Sequence, residues 1–421
     1  MKRRQFIRNT AIASTLYPLV SAIQSCGSPA DKRQIIVVIQ LVGGNDGLNT
    51  LIPLDNYKAF IKARPTLYIP EDRVLKIKDY PNMGLHPALE GIKDMYENGL
   101  ASFVQGVGYE NQNYSHFRSA DIYLTGSESD KALYTGWMAR VLDKKFNNYP
   151  DGFPSKNNPD PPAIKVGETG TFLFQGKTMD LSIVLDPASN TCEISGNEEK
   201  TTMLPGYAGQ EINKIREILL QTDRYSGVIK QALQKQIYHS KQYPKLGENT
   251  LADQLKIVAK MINGGLQTAV YHVDLKGFDT HEDQVLKGDT TKGKHSQLLK
   301  KVDQAITCFW EDMEHMNMGH AVSGFVFSEF GRRIVSNASM GTDHGSSQPL
   351  LLFGSRIHRG VVGNNPSIPD SATGSDNLNM QHDFRSVYAA MLKNWLNVSD
   401  GDLNTFLPGN ISPLTALLVK K

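Results

Sequence analysis

The chain has few cysteines. Only Cys26, Cys192 and Cys308 occur in 421 residues, and no two stand in a C-x-x-C pair. That spacing excludes a thiolate zinc site of the finger or ribbon type. Excess charge is also lacking: the formal net charge is +2, and no basic stripe runs along the sequence. Nucleic-acid binding is therefore disfavoured on electrostatic grounds. No internal repeat is visible, and no apolar run is long and pure enough for a secure membrane span. The apolar content, 40%, is that of a globular protein with a sizeable core and not of a disordered chain. The length suits one large domain or two ordinary ones.

The first thirty residues differ from the rest. "MKRRQFIRNT" is basic, and "AIASTLYPLVSAIQSC" is apolar and short. A charged n-region followed by an apolar h-region of about 15 residues describes a signal peptide. Within it "RRQFIR" has the form of a twin-arginine export signal. Ile23-Gln24-Ser25-Cys26-Gly27 resembles a lipobox, which would make Cys26 a lipidated N-terminus followed by the polar tether "GSPADKR". The expected location is periplasmic or outer-membrane-associated, with the membrane reached only through a lipid on Cys26. In such a compartment Cys192 and Cys308 could pair or stay free.

The mature part opens on "IIVVIQLV", residues 35–42, a nearly continuous β-branched run that suits a strand buried on both faces. It ends in the sharp turn Gly43-Gly44-Asn45-Asp46-Gly47. Residues 86–99 have helical spacing and a glycine stop, and 100–108 read as a second strand. A helix is expected over 115–126 with Ser115 as its N-cap. Residues 144–162 form a Pro/Asn-rich loop, and 163–250 are more polar, with a charged helical stretch near 210–240. An insertion or cap is expected over about 144–250. The pattern resumes with a helix at 251–265, a strand in "TAVYHVDL", a long amphipathic helix at 295–316, and strands in 321–334 and 349–354. Alternating strands and helices predict a single α/β domain over 31–421, its mainly parallel sheet sandwiched by helices.

Chemistry-bearing residues cluster just after these strands or at a helix start: Asp46, Ser115, Asp279 with His281, and Asp343 with His344. In open α/β sheets ligands bind at the carboxyl ends of the strands, so these loops converge although they lie far apart in sequence. Carboxylates and imidazoles suit a divalent metal, zinc first, with manganese, calcium or iron as alternatives. A hydroxyl at a helix N-terminus has a positive dipole end beneath it, which favours an alkoxide. His116, beside Ser115, is a candidate catalytic residue that could contact substrate, or it merely caps the site. Arg118 has the donor fork to orient an oxyanion, and Asn45 is a candidate substrate contact in the turn after the first strand. Glu329 in "FSEFGRR" could pair with Arg332 or Arg333 or serve the site. Each also has an ordinary reading: Asp46 as a turn residue, Ser115 as a cap, Arg118 as an exposed helix arginine. Histidines 86, 239, 272, 295, 315 and 320 read as surface or core residues.

"LVGGNDGLNTLIP", "NYSHFRSADIY", "GFDTHEDQ", "FSEFGRR" and "GTDHG" together resemble the domain-of-unknown-function 1501 family over nearly the whole mature chain. That family is grouped with the alkaline phosphatase and sulfatase superfamily. The resemblance implies an alkaline phosphatase-like fold and hydrolysis of phosphate or sulfate esters, small-molecule or glycan, with two metals. It makes Asp46 the first-strand metal ligand and Ser115 the nucleophile, with Asp279 and His281 as the second ligand group and Asp343 and His344 as the late pair. One ion would sit among Asp46, Ser115, Asp343 and His344, and the other among Asp279, His281 and a late histidine, His358 or His382. Two departures stand out. Asp279 and His281 are two apart where the superfamily spaces them four apart, although i and i+2 on a strand end share a face. Neither late histidine sits in a strong motif. A formylglycine sulfatase is disfavoured, because no cysteine stands near Ser115. The rival expectation is a non-catalytic surface lipoprotein that keeps the fold to bind carbohydrate or protein. The small residues of "MGTDHGSSQP" are expected to let substrate and ion approach the backbone.

Overall fold

Strand β1 (Ile35–Val42) occupies the middle of a nine-stranded sheet, hydrogen-bonded on both sides to parallel neighbours. A strand so placed must be apolar on both faces, which is why "IIVVIQLV" shows no polar alternation. The computed structural model describes residues 33–187, 206–235 and 239–417. The export signal, the lipobox with Cys26, and Cys192 lie outside the described residues. Cys308 is a buried free thiol.

In chain order the elements after β1 are α1 (Gly47–Thr50), β2 (Leu51–Pro53), α2 (Tyr57–Ala63), β3 (Leu75–Ile77), β4 (Tyr80–Leu85), α3 (Glu90–Glu97) and β5 (Ala101–Gly108). There follow α4 (His116–Thr125), α5 (Trp137–Lys145), β6 (Ala163–Val166), β7 (Ser182–Leu185), α6 (Gly206–Gln234), α7 (Thr250–Gly264) and β8 (Val270–Lys276). The chain continues with α8 (Lys294–His315), β9 (Val322–Ser328), β10 (Gln348–Gly354), β11 (Gly360–Val362), β12 (His382–Asp383), α9 (Phe384–Asn394) and α10 (Asp400–Phe406).

The main sheet runs β11-β5-β10-β9-β1-β8-β6-β7, with β12 also on β5. All pairings are parallel except those of β10, which is antiparallel to both β9 and β5. The expected helix-flanked, mainly parallel sheet is therefore the observed one. Strand β9 shows how both faces are covered. Phe325 lies 5.4 Å from Tyr388 of α9, and Phe327 stacks on Tyr123 of α4 at 5.6 Å between ring centroids. The intervening Val326 lines a small apolar cavity with Ile92 of α3 and Val302 of α8. Side chains alternate across a strand, so these contacts belong to opposite layers.

The segment 144–250, expected as an insertion or cap, places β6 and β7 in the main sheet beyond β8, and its long helix α6 packs on α7. Four-residue strands carry too little periodicity to be read from sequence. A second, antiparallel sheet, β2-β4-β3, gathers around its own apolar cluster of Leu48, Ile52, Phe60 and Ile69.

The single reversed strand decides where the late motif goes. β1, β8, β9 and β5 point their carboxyl ends to one edge. β10 runs the other way, so the loop that precedes it, with Asp343 and His344, arrives at that same edge. At the turn after β1, Gly43 has φ +124°, and a Cβ there would lie 2.3 Å from the backbone nitrogen of Asp279. Only glycine allows this approach. Gly43→Ala should cost about 2 kcal/mol or more in chemical denaturation, because strain and backbone clash act together.

Candidate metal centre

Three imidazoles close around one carboxylate at the shared strand edge. His116 begins α4, Asp279 and His281 follow β8, and His344 precedes β10. His344 Nε2 lies 3.2 Å and His281 Nε2 3.1 Å from Asp279 Oδ1, and the two Nε2 atoms are 2.9 Å apart. His116 Nε2 stands 3.5 Å from Asp279 Oδ2. His116, Asp279 and His344 each offer a ligand atom within 4.8 Å of the others.

The opposite nitrogens fix which atoms carry protons. His116 Nδ1 donates to Glu329 Oε1 at 2.8 Å, His344 Nδ1 to the carbonyl of Tyr114 at 2.8 Å, and His281 Nδ1 to Asp343 Oδ1 at 3.1 Å. Each of these partners can only accept, so in the neutral imidazoles every Nε2 is left as a lone pair. Three lone pairs and a carboxylate facing one another repel unless a cation lies among them. His116 Nε2 is moreover a buried atom with no hydrogen-bond partner. An outer acceptor on each histidine is the arrangement that orients metal ligands. The donor set thus fits the divalent ion expected from the sequence.

The surroundings shift the titration of these groups in different directions. The hydrogen bond from His116 to Glu329 raises the His116 pKa. Burial lowers that of His344. Burial opposes the charge on Asp279, but the hydrogen bond and charge of Arg332 outweigh it and bring its pKa down to about 2. Asp279 is therefore an anion at neutral pH.

Arg332 positions that anion. Buried itself, it donates from Nη2 to Asp279 Oδ1 at 2.7 Å and to the Phe278 carbonyl at 3.0 Å. Nε reaches the Gly44 carbonyl at 2.8 Å, Nη1 the Thr342 carbonyl at 2.8 Å, and Nη2 also the Gly43 carbonyl. Glu329 pairs with neither neighbouring arginine. It accepts from His116 and, at 2.8 Å, from the Gly43 amide. Tyr114, whose carbonyl holds His344, has φ +61°, rarely adopted by a tyrosine; its hydroxyl accepts from Asn377 and its ring lies under Arg333.

The other expected residues fall elsewhere. Asp46 is fully buried, and both its oxygens accept from Arg64 Nη1, at 2.7 and 2.6 Å. Gln284 Nε2 adds a bond to Oδ2 at 2.5 Å. Burial would raise the Asp46 pKa, but Arg64 and His295 turn the balance and lower it. Asn45 is buried too, bonding Thr50 and His295, so its amide faces the interior and not a substrate. Arg118 donates from Nη2 to the carbonyls of Glu128, Ser129 and Lys131, which pins the loop after α4. Asp343 holds His281 and accepts from Asn337, and so acts behind the imidazoles. Ser115 is the N-cap of α4, as expected, yet its side chain makes no capping bond. His382 pairs in the sheet as β12, and His358 lines a surface hollow with Glu97 and Arg359; neither belongs to the cluster.

The small residues of 340–349 serve packing of backbone on backbone. A Cβ on Gly341 would lie 2.1 Å from the His281 carbonyl oxygen, and one on Gly345 2.3 Å from the Arg332 carbonyl carbon. Sequence reading passed over Arg64, Gln284 and Tyr114. Arg64 stands in no motif; Gln284 closes "GFDTHEDQ" and Tyr114 lies in "NYSHFRSADIY", but their partners Asp46 and His344 are far off in sequence, and a tyrosine carbonyl has no side-chain signal at all.

Residues 226–397 match the model of a family described as "Protein of unknown function (DUF1501)". The match takes in Asp279, His281, Glu329, Arg332, Asp343 and His344. No curated protein sequence matches the chain. Solved structures to which it is similar include a protein in the alkaline phosphatase superfamily from Vibrio parahaemolyticus, at 10% identity and TM-score 0.36, over 79% of this chain and 63% of that one. The chain thus spans under two thirds of that protein's length. Two others are the C-terminal periplasmic domain of EcEptC from Escherichia coli in complex with zinc (10% identity, TM-score 0.36, 78% and 75% covered) and the putative sulfatase yidJ from Bacteroides fragilis (9% identity, TM-score 0.40, 93% and 79% covered).

Glu329→Gln keeps an acceptor for His116 but removes its charge. Zinc affinity in calorimetric titration should fall about 10–100-fold, with the fold retained. Affinity should also fall as pH is lowered through the histidine range, because protons compete for each Nε2.

Proposed function

We propose that the protein is an exported, metal-dependent hydrolase of phosphate or sulfate esters. One observation carries the reading: three Nε2 lone pairs converge on the Asp279 carboxylate, each aimed by an acceptor on its far side. His116, Asp279, His281 and His344 would hold the ion, and Glu329, Tyr114, Asp343 and Arg332 would hold those four in place. A divalent ion supplies Lewis-acid charge at neutral pH and makes a nearby hydroxyl or water easier to deprotonate.

The rest is the work of the chain. Ser115 precedes His116 at the start of α4, and its hydroxyl is not spent on the capping bond normal at that position. The helix N-terminus places partial positive charge beside it. Ser115 is therefore the proposed nucleophile, attacking phosphorus or sulfur while the leaving alcohol departs. Water would then attack the phosphoryl or sulfuryl group carried on Ser115, releasing inorganic phosphate or sulfate and returning the serine hydroxyl. The ester class itself rests on the ordered motifs from "GGNDG" to "GTDHG".

The N-terminal "RRQFIR" supports export by the twin-arginine route, which carries folded proteins, and Cys26 supplies a site for a lipid anchor. No described helix is long and apolar enough to cross a membrane.

The zinc-loaded protein should hydrolyse 4-nitrophenyl phosphate or 4-nitrophenyl sulfate. Ser115→Ala should lower kcat by at least about 100-fold while leaving zinc bound. Bound zinc without turnover of either ester would favour the carbohydrate- or protein-binding lipoprotein instead. Replacing Arg3 and Arg4 together by lysine should leave the precursor in the cytoplasm on fractionation; normal export would refute the twin-arginine assignment.

A further inference from the structure

The two-metal scheme needs Asp46 as a ligand, and the fold has already committed that carboxylate. We propose that the centre is mononuclear: one ion held by His116, Asp279, His281 and His344, with the guanidinium of Arg64 standing where the scheme would require a second metal's charge. This deepens the hydrolase reading and rests on the same cluster.

Three observations support it. Both Asp46 oxygens are bonded, by Arg64 and Gln284, and the pair is fully buried. Arg64 cannot swing away, because Nε donates to the Ile334 carbonyl and Nη2 to the Arg333 carbonyl. Freeing Asp46 for a metal would leave a buried guanidinium without its anion, and the incoming ion would meet that cation at close range. Gln284 is equally fixed, since its Oε1 accepts from Thr280 and Thr342.

Second, the ligands that remain form one group. Of the residues the scheme divides between two ions, Asp279, His281 and His344 lie together around a single carboxylate, with the two Nε2 atoms 2.9 Å apart. Nitrogens that close, both beside Asp279 Oδ1, group as donors to one ion. Asp343, assigned to one ion, is turned to the Nδ1 of a ligand of the other. Third, His116 joins Asp279 and His344 from an unexpected position, a ligand atom of each lying within 4.8 Å of the others. It sits where the scheme has only the nucleophile's neighbour, and its buried Nε2 has no other partner.

The expected role of Asp46 thus reverses. Its role is structural: with Arg64 it ties the turn after β1 to the carbonyls of Arg333 and Ile334.

The test is metal stoichiometry. The purified exported protein is stripped with chelator, reloaded with Zn²⁺ or Co²⁺, desalted and analysed by elemental mass spectrometry. One ion per chain is expected. His344→Ala should weaken binding by more than about 100-fold, since a lost ligand costs more than a lost outer partner. Asp46→Asn should keep one ion with affinity within about threefold, as for a site outside the ligand set. Because that variant leaves Arg64 unpaired, Asp46→Asn/Arg64→Gln, a neutral amide pair, is measured beside it. Two ions per chain, or loss of metal in a folded Asp46 variant, would overturn the mononuclear assignment and leave the hydrolase reading standing. No ion in the wild-type protein would overturn both.

Discussion

A buried arginine holds the centre together. Arg332 reaches the carbonyls of Gly43 and Gly44 after β1, of Phe278 after β8, and of Thr342 before β10, and it meets the Asp279 carboxylate. Three loops from distant parts of the chain end in carbonyls that need donors, and one planar guanidinium supplies them all. Its charge would be costly in the interior without an anion, and Asp279 supplies that as well. Arg64 repeats the device one layer deeper with Asp46. The strand edge is thus built on two arginine–aspartate pairs, one sealed inside and one with its carboxylate at the surface.

The two aspartates differ in fate because of burial. Asp46 is inaccessible and its oxygens are saturated, so its charge does structural work. Asp279 is about half exposed, 46% by side chain, and keeps an oxygen toward the histidines. The same residue type on neighbouring strand ends becomes a fastener in one case and a candidate ligand in the other. Its partner decides: Arg64 faces Asp46 from inside, whereas Arg332 meets Asp279 from behind.

Much of this was legible in the sequence, for reasons that can be named. β1 was read to the residue, because an unbroken β-branched run between polar flanks has few alternatives. Ser115 was placed at its cap from the switch between turn residues and helical spacing. Asp279, His281 and His344 were singled out because acids and histidines in glycine-rich loops after strands have few packing roles. What was not legible depends on long-range pairing. β6 and β7 have four residues each, too few to show a period. Asp46 looked like a ligand because its partner, Arg64, lies in an unremarkable helix end 18 positions on. His116 reads from sequence only as the neighbour of Ser115; the sheet edge turns its ring toward Asp279. The direction of β10 cannot be read from "PLLLFG", whose apolar residues suit either sense.

That reversed strand has a consequence for how the centre comes into being. His344 reaches the site only once β10 has slotted between β5 and β9, and His116 only once β5 is in place. The four side chains span residues 116 to 344, and only Asp279 and His281 are close in sequence. The full set of lone pairs therefore exists only where the sheet has closed, and an unfolded chain offers an ion no more than the local Asp279–His281 pair. Capture of the proposed ion would be tied to completion of the fold, so the compartment in which the sheet closes would also be the one whose metal supply fills the site.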